Sequence, residues 1–180
     1  MMPPARQRLL NLALYEIGWF ACVLGAAHGR GEAGALLALA LLGVHVALSR
    51  DRAGELAIVA AAGLVGLSVD SLLAASGRLA FADAPVAFLA PPWVLALWMQ
   101  LGSTLRGALA WLGRRPGLAA LLGAAGGPLA FLAGERMGAA VWGEPRWVTA
   151  LALGLAWGLA TPLLFVCAAR LGRGRPSGYR

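Results

Sequence analysis

The sequence predicts an all-α membrane protein, a compact bundle of six transmembrane helices with both termini on the cytoplasmic side. Three observations carry that expectation. The chain is 60% hydrophobic and 13% charged, about half the charged fraction of a soluble domain, which is about 25%. The charges fall in short patches, and between them run six apolar stretches of about 20 residues, enough to cross a bilayer at about 1.5 Å per residue. Every one of the 15 basic residues is arginine, and they gather at alternate ends of the apolar stretches. The chain, 1–180, reads as a single integral membrane domain.

The spans are expected at residues 9–28, 33–49, 56–76, 92–112, 117–138 and 147–169. Helices are expected rather than barrel strands, because Ala, Leu and Gly dominate and polar residues do not strictly alternate with apolar ones. Arg6 and Arg8 before the first span, with Gly25 and Ala27 near its end, also suit a signal peptide. Asn11 and Glu16 interrupt the plain apolar core that a signal peptide needs, so a retained helix is expected. The second span is the shortest. Between the third and fourth, residues 77–91 form the longest outer loop, and Pro85 and Pro91 break helix continuity there. That loop is too apolar to be freely solvated; it is expected in the interface or folded partly back as a lid. Trp93, Trp142 and Trp147 fall near the outer boundary and Trp111 near the inner one, as interfacial aromatics do. Gly127-Pro128 and Thr161-Pro162 are the expected kink points of the last two spans.

Arginine counts orient the bundle. Arg6, Arg8, Arg50, Arg52, Arg106, Arg114, Arg115, Arg170, Arg173, Arg175 and Arg180 make eleven on one side, against Arg30, Arg78, Arg136 and Arg146 on the other. The side with more arginine is expected to be cytoplasmic. A net charge of +7 would suggest nucleic acid in a soluble protein. At span ends it instead suggests contact with membrane lipids, anionic phospholipids included. Nucleic acid is not an expected partner.

Lipid gives helices no hydrophobic reason to associate, so small residues mark where they touch. Asn11, Gly18, Cys22, Gly25 and Gly29 share one face of the first span; Gly34, Ala38, Leu41 and His45 share one of the second. Gly63, Gly66, Asp70 and Gly77 share one of the third, Gly123/Gly127 and Gly134/Gly138 are pairs in the fifth, and Gly154/Gly158 precede Thr161 in the sixth. These faces suit tight packing within the bundle and also admit a second copy or a membrane-protein partner.

Charges at membrane depth usually face the bundle interior or a wet cavity. Glu16 lies about 10 Å and Arg106 about 9 Å from the cytoplasmic ends of their spans. A Glu16–Arg106 ion pair is therefore expected, with His45, Ser103 and Thr104 near it and Asn11 just below. Such a cluster could hold an anionic head group or relay a proton, or it could simply pin two helices while Arg106 snorkels. A second, outer group is expected around Asp70, with His28, Arg78 and Arg136 as candidate partners and Ser68 and Ser71 nearby. Gln100 suits hydrogen bonding within the bundle.

No nucleophile elbow, zinc-ligand spacing, P-loop or dinucleotide fingerprint is present. The glycine-rich run Leu122-Gly123-Ala124-Ala125-Gly126-Gly127 has no strand before it and no lysine after it, so it reads as a packing feature. Cys22 and Cys167 sit inside apolar spans without Cys-x-x-Cys spacing. No catalytic residue, metal or cofactor is assigned.

Several segments together carry a resemblance: Asn11 with Gly18-Trp19-Phe20-Ala21-Cys22-Val23-Leu24-Gly25, Val69-Asp70-Ser71-Leu72-Leu73, Pro92-Trp93 with Leu97-Trp98 and Thr104-Leu105, and Gly126-Gly127-Pro128-Leu129 before Ala133-Gly134. In combination they resemble an uncharacterised family of bacterial inner-membrane proteins, known only as a domain of unknown function. Phe131 stands where the family pattern has tyrosine, and Gly102-Ser103 where it has a bulkier pair. The resemblance implies a multi-pass membrane protein and an association with enzymes that modify fatty-acyl chains. The leading expectation is an accessory or scaffold protein that binds lipid near Glu16, His45 and Arg106. A small proton- or cation-coupled transporter using Glu16 and Asp70 is the alternative, weakened by the lack of an inverted repeat. A membrane-embedded enzyme is a third, weakened by the lack of a nucleophile–base or metal constellation.

Overall fold

A computed structural model describes residues 4–172. Its helices are α1 (Pro4–Ala27), α2 (Gly31–Leu48), α3 (Arg52–Ala75), α4 (Pro92–Thr104), α5 (Pro116–Arg136) and α6 (Arg146–Leu171). Two three-residue strands, β1 (Leu79–Phe81) and β2 (Ala140–Trp142), pair antiparallel with Ala80 opposite Val141. Five helices are long and apolar enough to cross a membrane: α1, α2, α3, α5 and α6.

The helices run back and forth between two ends. At one, the ribbon end, α1, α3 and α5 each stop in the same way. Gly29, Gly77 and Gly138 take positive φ. The amide one residue beyond each glycine reaches back to the carbonyl of Gly25, Leu73 and Gly134 respectively. This is the glycine-dependent cap that satisfies orphan carbonyls at a helix end. The sequence reading put these three glycines on packing faces; they terminate helices instead. Residues 77–91, expected in the interface or folded partly back as a lid, hold local structure. They begin with the ribbon strand, and Ala90 then donates its amide to Ser71 Oγ at 3.0 Å, tying the segment to α3. At the other, arginine-rich end, α2 turns into α3 through Asp51, whose Oδ1 caps α3 by accepting from Gly54 N at 3.1 Å.

The expected fourth span, 92–112, is not one helix. α4 has 13 residues, about 20 Å at 1.5 Å per residue, short of a hydrocarbon core of about 30 Å. Ser103 and Thr104 turn their hydroxyls back onto the carbonyls of Gln100 and Leu101, each at 2.7 Å. Gly107 and Leu109 then both donate to the Thr104 carbonyl, a tight turn, before a 3-10 helix at Ala110–Arg114. Asn11 of α1 stabilises the break, since its Oδ1 accepts from Ala108 N at 2.9 Å. A side chain at Gly107 would collide with Asn11.

α4 is nonetheless the centre of the molecule, packed on α1, α2 and α3, while α6 joins α3 to α5. Trp93, Val94, Ala96, Trp98 and Gln100 of α4 are buried, and Gln100 donates to the Ala38 carbonyl at 2.6 Å. Leu9, Leu36, Leu64, Leu129 and Leu159 stand exposed on α1, α2, α3, α5 and α6. Acyl chains covering such leucines remove a cost to water of about 1.5–3 kcal/mol each. The protein is a multi-pass membrane protein with α4 sheathed by its neighbours.

Candidate functional site

Two features stand apart from ordinary packing: a buried ionic cluster at the arginine-rich end, and an apolar chamber beside α4.

The cluster begins at Asn11, whose Nδ2 lies 3.1 Å from the Ser103 carbonyl and 3.3 Å from His45 Nδ1. With Nδ1 accepting that amide, His45 Nε2 carries its proton and faces Glu55 Oε2 at 3.2 Å. Glu55 Oε1 is 3.2 Å from Arg106 NH1, and Asp51 Oδ2 is 2.9 Å from the same nitrogen. A continuous chain of polar contacts thus joins α1, α2, α3 and the turn after α4. Gly172, just past α6, leaves room for the Arg106 guanidinium.

The partner expected for Arg106 is replaced. Glu16 is exposed on the outside of α1 and forms no ion pair with Arg106; Asp51 and Glu55 take that role. Depth alone matched Glu16 to Arg106, but azimuth did not. Asn11, Leu14, Gly18 and Cys22 are the buried stripe of α1. Glu16 is five residues from Asn11, about 140° round the helix at about 100° per residue. Asn11, His45 and Ser103 do meet, whereas the Thr104 hydroxyl serves its own helix. Asp51 and Glu55 were missed because they fall outside the expected spans, in the short connection between residues 49 and 56. Their signal was present: a capping Asp with Glu four residues later, at the end where Arg106 emerges.

The outer group also differs. Asp70 is fully buried, and Trp98 Nε1 donates to its Oδ2 at 2.7 Å. Among the described residues its Oδ1 has no hydrogen-bond partner. His28 and Arg136 are exposed, and His28 Nδ1 lies 2.8 Å from its own helix's Leu24 carbonyl. Arg78 reaches the Glu144 carbonyl instead, at 3.2 Å. Among the described residues no arginine or histidine forms an ion pair with Asp70.

Asp70 lines a chamber of about 280 Å³ between α1, α4, α5 and α6. α4 contributes Trp93, Leu97 and Trp98, and the chamber continues to Leu105. Twelve residues of helix make it about 18 Å long. Leu109 and Leu112 close it at the arginine-rich end, and Ala139 and Ala140 close it below the ribbon. Its side walls are Tyr15 and Trp19 of α1 and Gly126 and Ala130 of α5. α1 packs mainly on α2 and α4, and α5 on α6, so these walls part sideways, where Gly126 and Leu122 are exposed. Gly123 and Gly127 of α5 lie hard against Thr161 and Trp157 of α6. Gly126 and Gly134 differ: a Cβ at either would meet nothing within 4 Å. Their missing side chains leave the chamber open.

The chamber is lined almost wholly by apolar and aromatic side chains, with Asp70 its one ionisable carboxylate. That combination suits an elongated hydrophobic molecule oriented by one polar contact.

No curated protein and no solved structure matches the chain. The family model described as Protein of unknown function (DUF2878) matches residues 8–163, spanning α1 to the middle of α6 and so both the cluster and the chamber. This multi-pass membrane protein belongs to the DUF2878 family.

Proposed function

We propose that this protein is an accessory protein of a bacterial inner membrane that takes one apolar chain of a lipid or other amphiphile into the chamber beside α4. The supporting observation is the chamber itself: about 280 Å³, largely apolar and walled in part by α1 and α5, two membrane-crossing helices. A cavity of about 150 Å³ lined by Leu, Ile and Phe admits benzene, so nearly twice that volume suits a chain of about a dozen carbons. Entry between α1 and α5 takes a chain directly from the bilayer, without exposing it to water. The ionic cluster serves this site by holding α4 and its broken end in position. Arg106 already faces two carboxylates, so the anionic phospholipids expected at this end meet exposed arginines such as Arg52, Arg114 and Arg115.

In this reading α4 and the turns after it make the sixth passage, and both termini are cytoplasmic. Among the described residues the arginine-rich end carries eight arginines against four, and Arg173, Arg175 and Arg180 of the expected count lie outside the described residues. A role in acyl-chain modification follows if the bound chain is presented to a partner enzyme.

Native mass spectrometry of the full chain released from nanodiscs tests the chamber. The expected result is a retained single-chain or phospholipid adduct, lost in Gly134→Leu, which adds a side chain to the chamber lining at a position where a Cβ meets nothing within 4 Å. A lipid-free wild-type protein, or an adduct unchanged by Gly134→Leu, would overturn the proposal.

A further inference from the structure

The head-group chemistry of the ligand can be read from Asp70. The carboxylate is fully buried, has one hydrogen bond, from Trp98, and leaves Oδ1 without a partner. A buried carboxylate needs a counter-charge, full hydrogen bonding or a proton of its own, because its loss of water is otherwise uncompensated. Among the described residues no side-chain cation supplies that charge.

Aromatic rings gather beside it. The Trp98 and Trp157 ring centroids are 4.4 Å apart, and Phe131 meets Trp157 edge-on at 6.3 Å. Trp98, Trp157 and Phe131 all line the chamber. Ring faces attract cations through their quadrupole, most strongly where water is excluded. Gly66 fixes this arrangement, since a side chain there would overlap the Trp98 indole. The remainder of the chamber, running to Leu112, offers mostly apolar surface for a tail, with Tyr15 and Thr161 as its polar side chains.

We propose that Asp70 and the surrounding tryptophans bind the head of a single-chain organic cation, an amine or quaternary ammonium on an apolar tail. This rests on the chamber reading above and adds the charge of the head. Asp70 supplies the counter-charge, Trp98 orients the carboxylate, and Trp157 offers a ring to the cation. An anionic head would meet the uncompensated carboxylate and be rejected. A neutral head would leave the charge unpaired.

Tryptophan-fluorescence titration of the full-length protein in maltoside micelles tests this, using three twelve-carbon probes: dodecyltrimethylammonium, dodecanol and dodecanoate. The cation should bind at least tenfold more tightly than the other two. Asp70→Asn, which keeps an oxygen for Trp98, should erase that preference, and Gly134→Leu should weaken all three. Should Asp70→Asn not fold, Trp157→Leu reads the same preference, which should fall. Equal binding of the probes, tighter binding of dodecanol, or a cation preference that survives these substitutions would overturn the head-group assignment. The chamber reading would survive any of those outcomes provided Gly134→Leu still weakens binding. If Gly134→Leu changes none of the three, the chamber reading itself fails.

Discussion

Arg106→Gln removes the cation at the centre of the ionic cluster. The Arg106 side chain is 10% exposed, and its partners Asp51 and Glu55 are 8% and 4% exposed, so solvent screens these contacts little. Breaking a buried pair by deleting one member costs about 3–5 kcal/mol, because the other charge stays buried and uncompensated. Here two carboxylates, at 2.9 and 3.2 Å, lose the same guanidinium, so the upper half of that range is expected. Glu16→Gln changes an exposed residue outside the cluster and should stay within about 0.5 kcal/mol. The combined Asp51→Asn, Glu55→Gln, Arg106→Gln variant should recover much of the loss, since no unpaired charge remains. SDS-induced unfolding in maltoside micelles, followed by near-UV circular dichroism, measures all three. An Arg106→Gln variant as stable as wild type, or a Glu16→Gln loss equal to it, would refute the reasoning.

Asn11→Ala leaves Ala108 N–H and the Ser103 carbonyl without their side-chain partner. It should cost about 1–3 kcal/mol in the same assay. Gly66→Ala forces a methyl into Trp98; overpacking of this kind costs about 1–3 kcal/mol, and the displaced indole should shift the tryptophan emission spectrum. Glu135 holds Arg146 at the ribbon end, through NH1–Oε1 at 3.0 Å, but Arg146 is half-exposed. Glu135→Gln should therefore cost less than about 1 kcal/mol, by thermal unfolding. Gly126→Leu beside the chamber should fold as wild type does, because a Cβ there meets nothing within 4 Å, yet it should slow lipid exchange measured by delayed mass spectrometry.

Particular residues show where one-dimensional reading ends. Asn11 was legible as an inward residue from helical spacing, and its burial follows from the same periodicity. Its partners were not, because Ala108 belongs to a turn that breaks the expected fourth span. The run 92–112 is apolar apart from Gln100, Ser103, Thr104 and Arg106, and hydropathy does not register a helix that stops inside a protein sheath. Gly29, Gly77 and Gly138 looked like packing glycines because periodicity continued through them; only the positive φ of each identifies a cap. Asp70 was visible as a charge in an apolar span, but its company of tryptophans comes from α4 and α6, distant in sequence.

The sequence by itself determined the solvent of this protein, because apolar length and charge placement act segment by segment and need no knowledge of neighbours. Tertiary structure decided who meets whom. Asp51 and Glu55 reached Arg106 while Glu16 turned outward, and the glycines of α5 either closed on α6 or left a chamber. Both outcomes depend on the azimuth of one helix against another, which interhelical packing fixes and hydropathy does not encode.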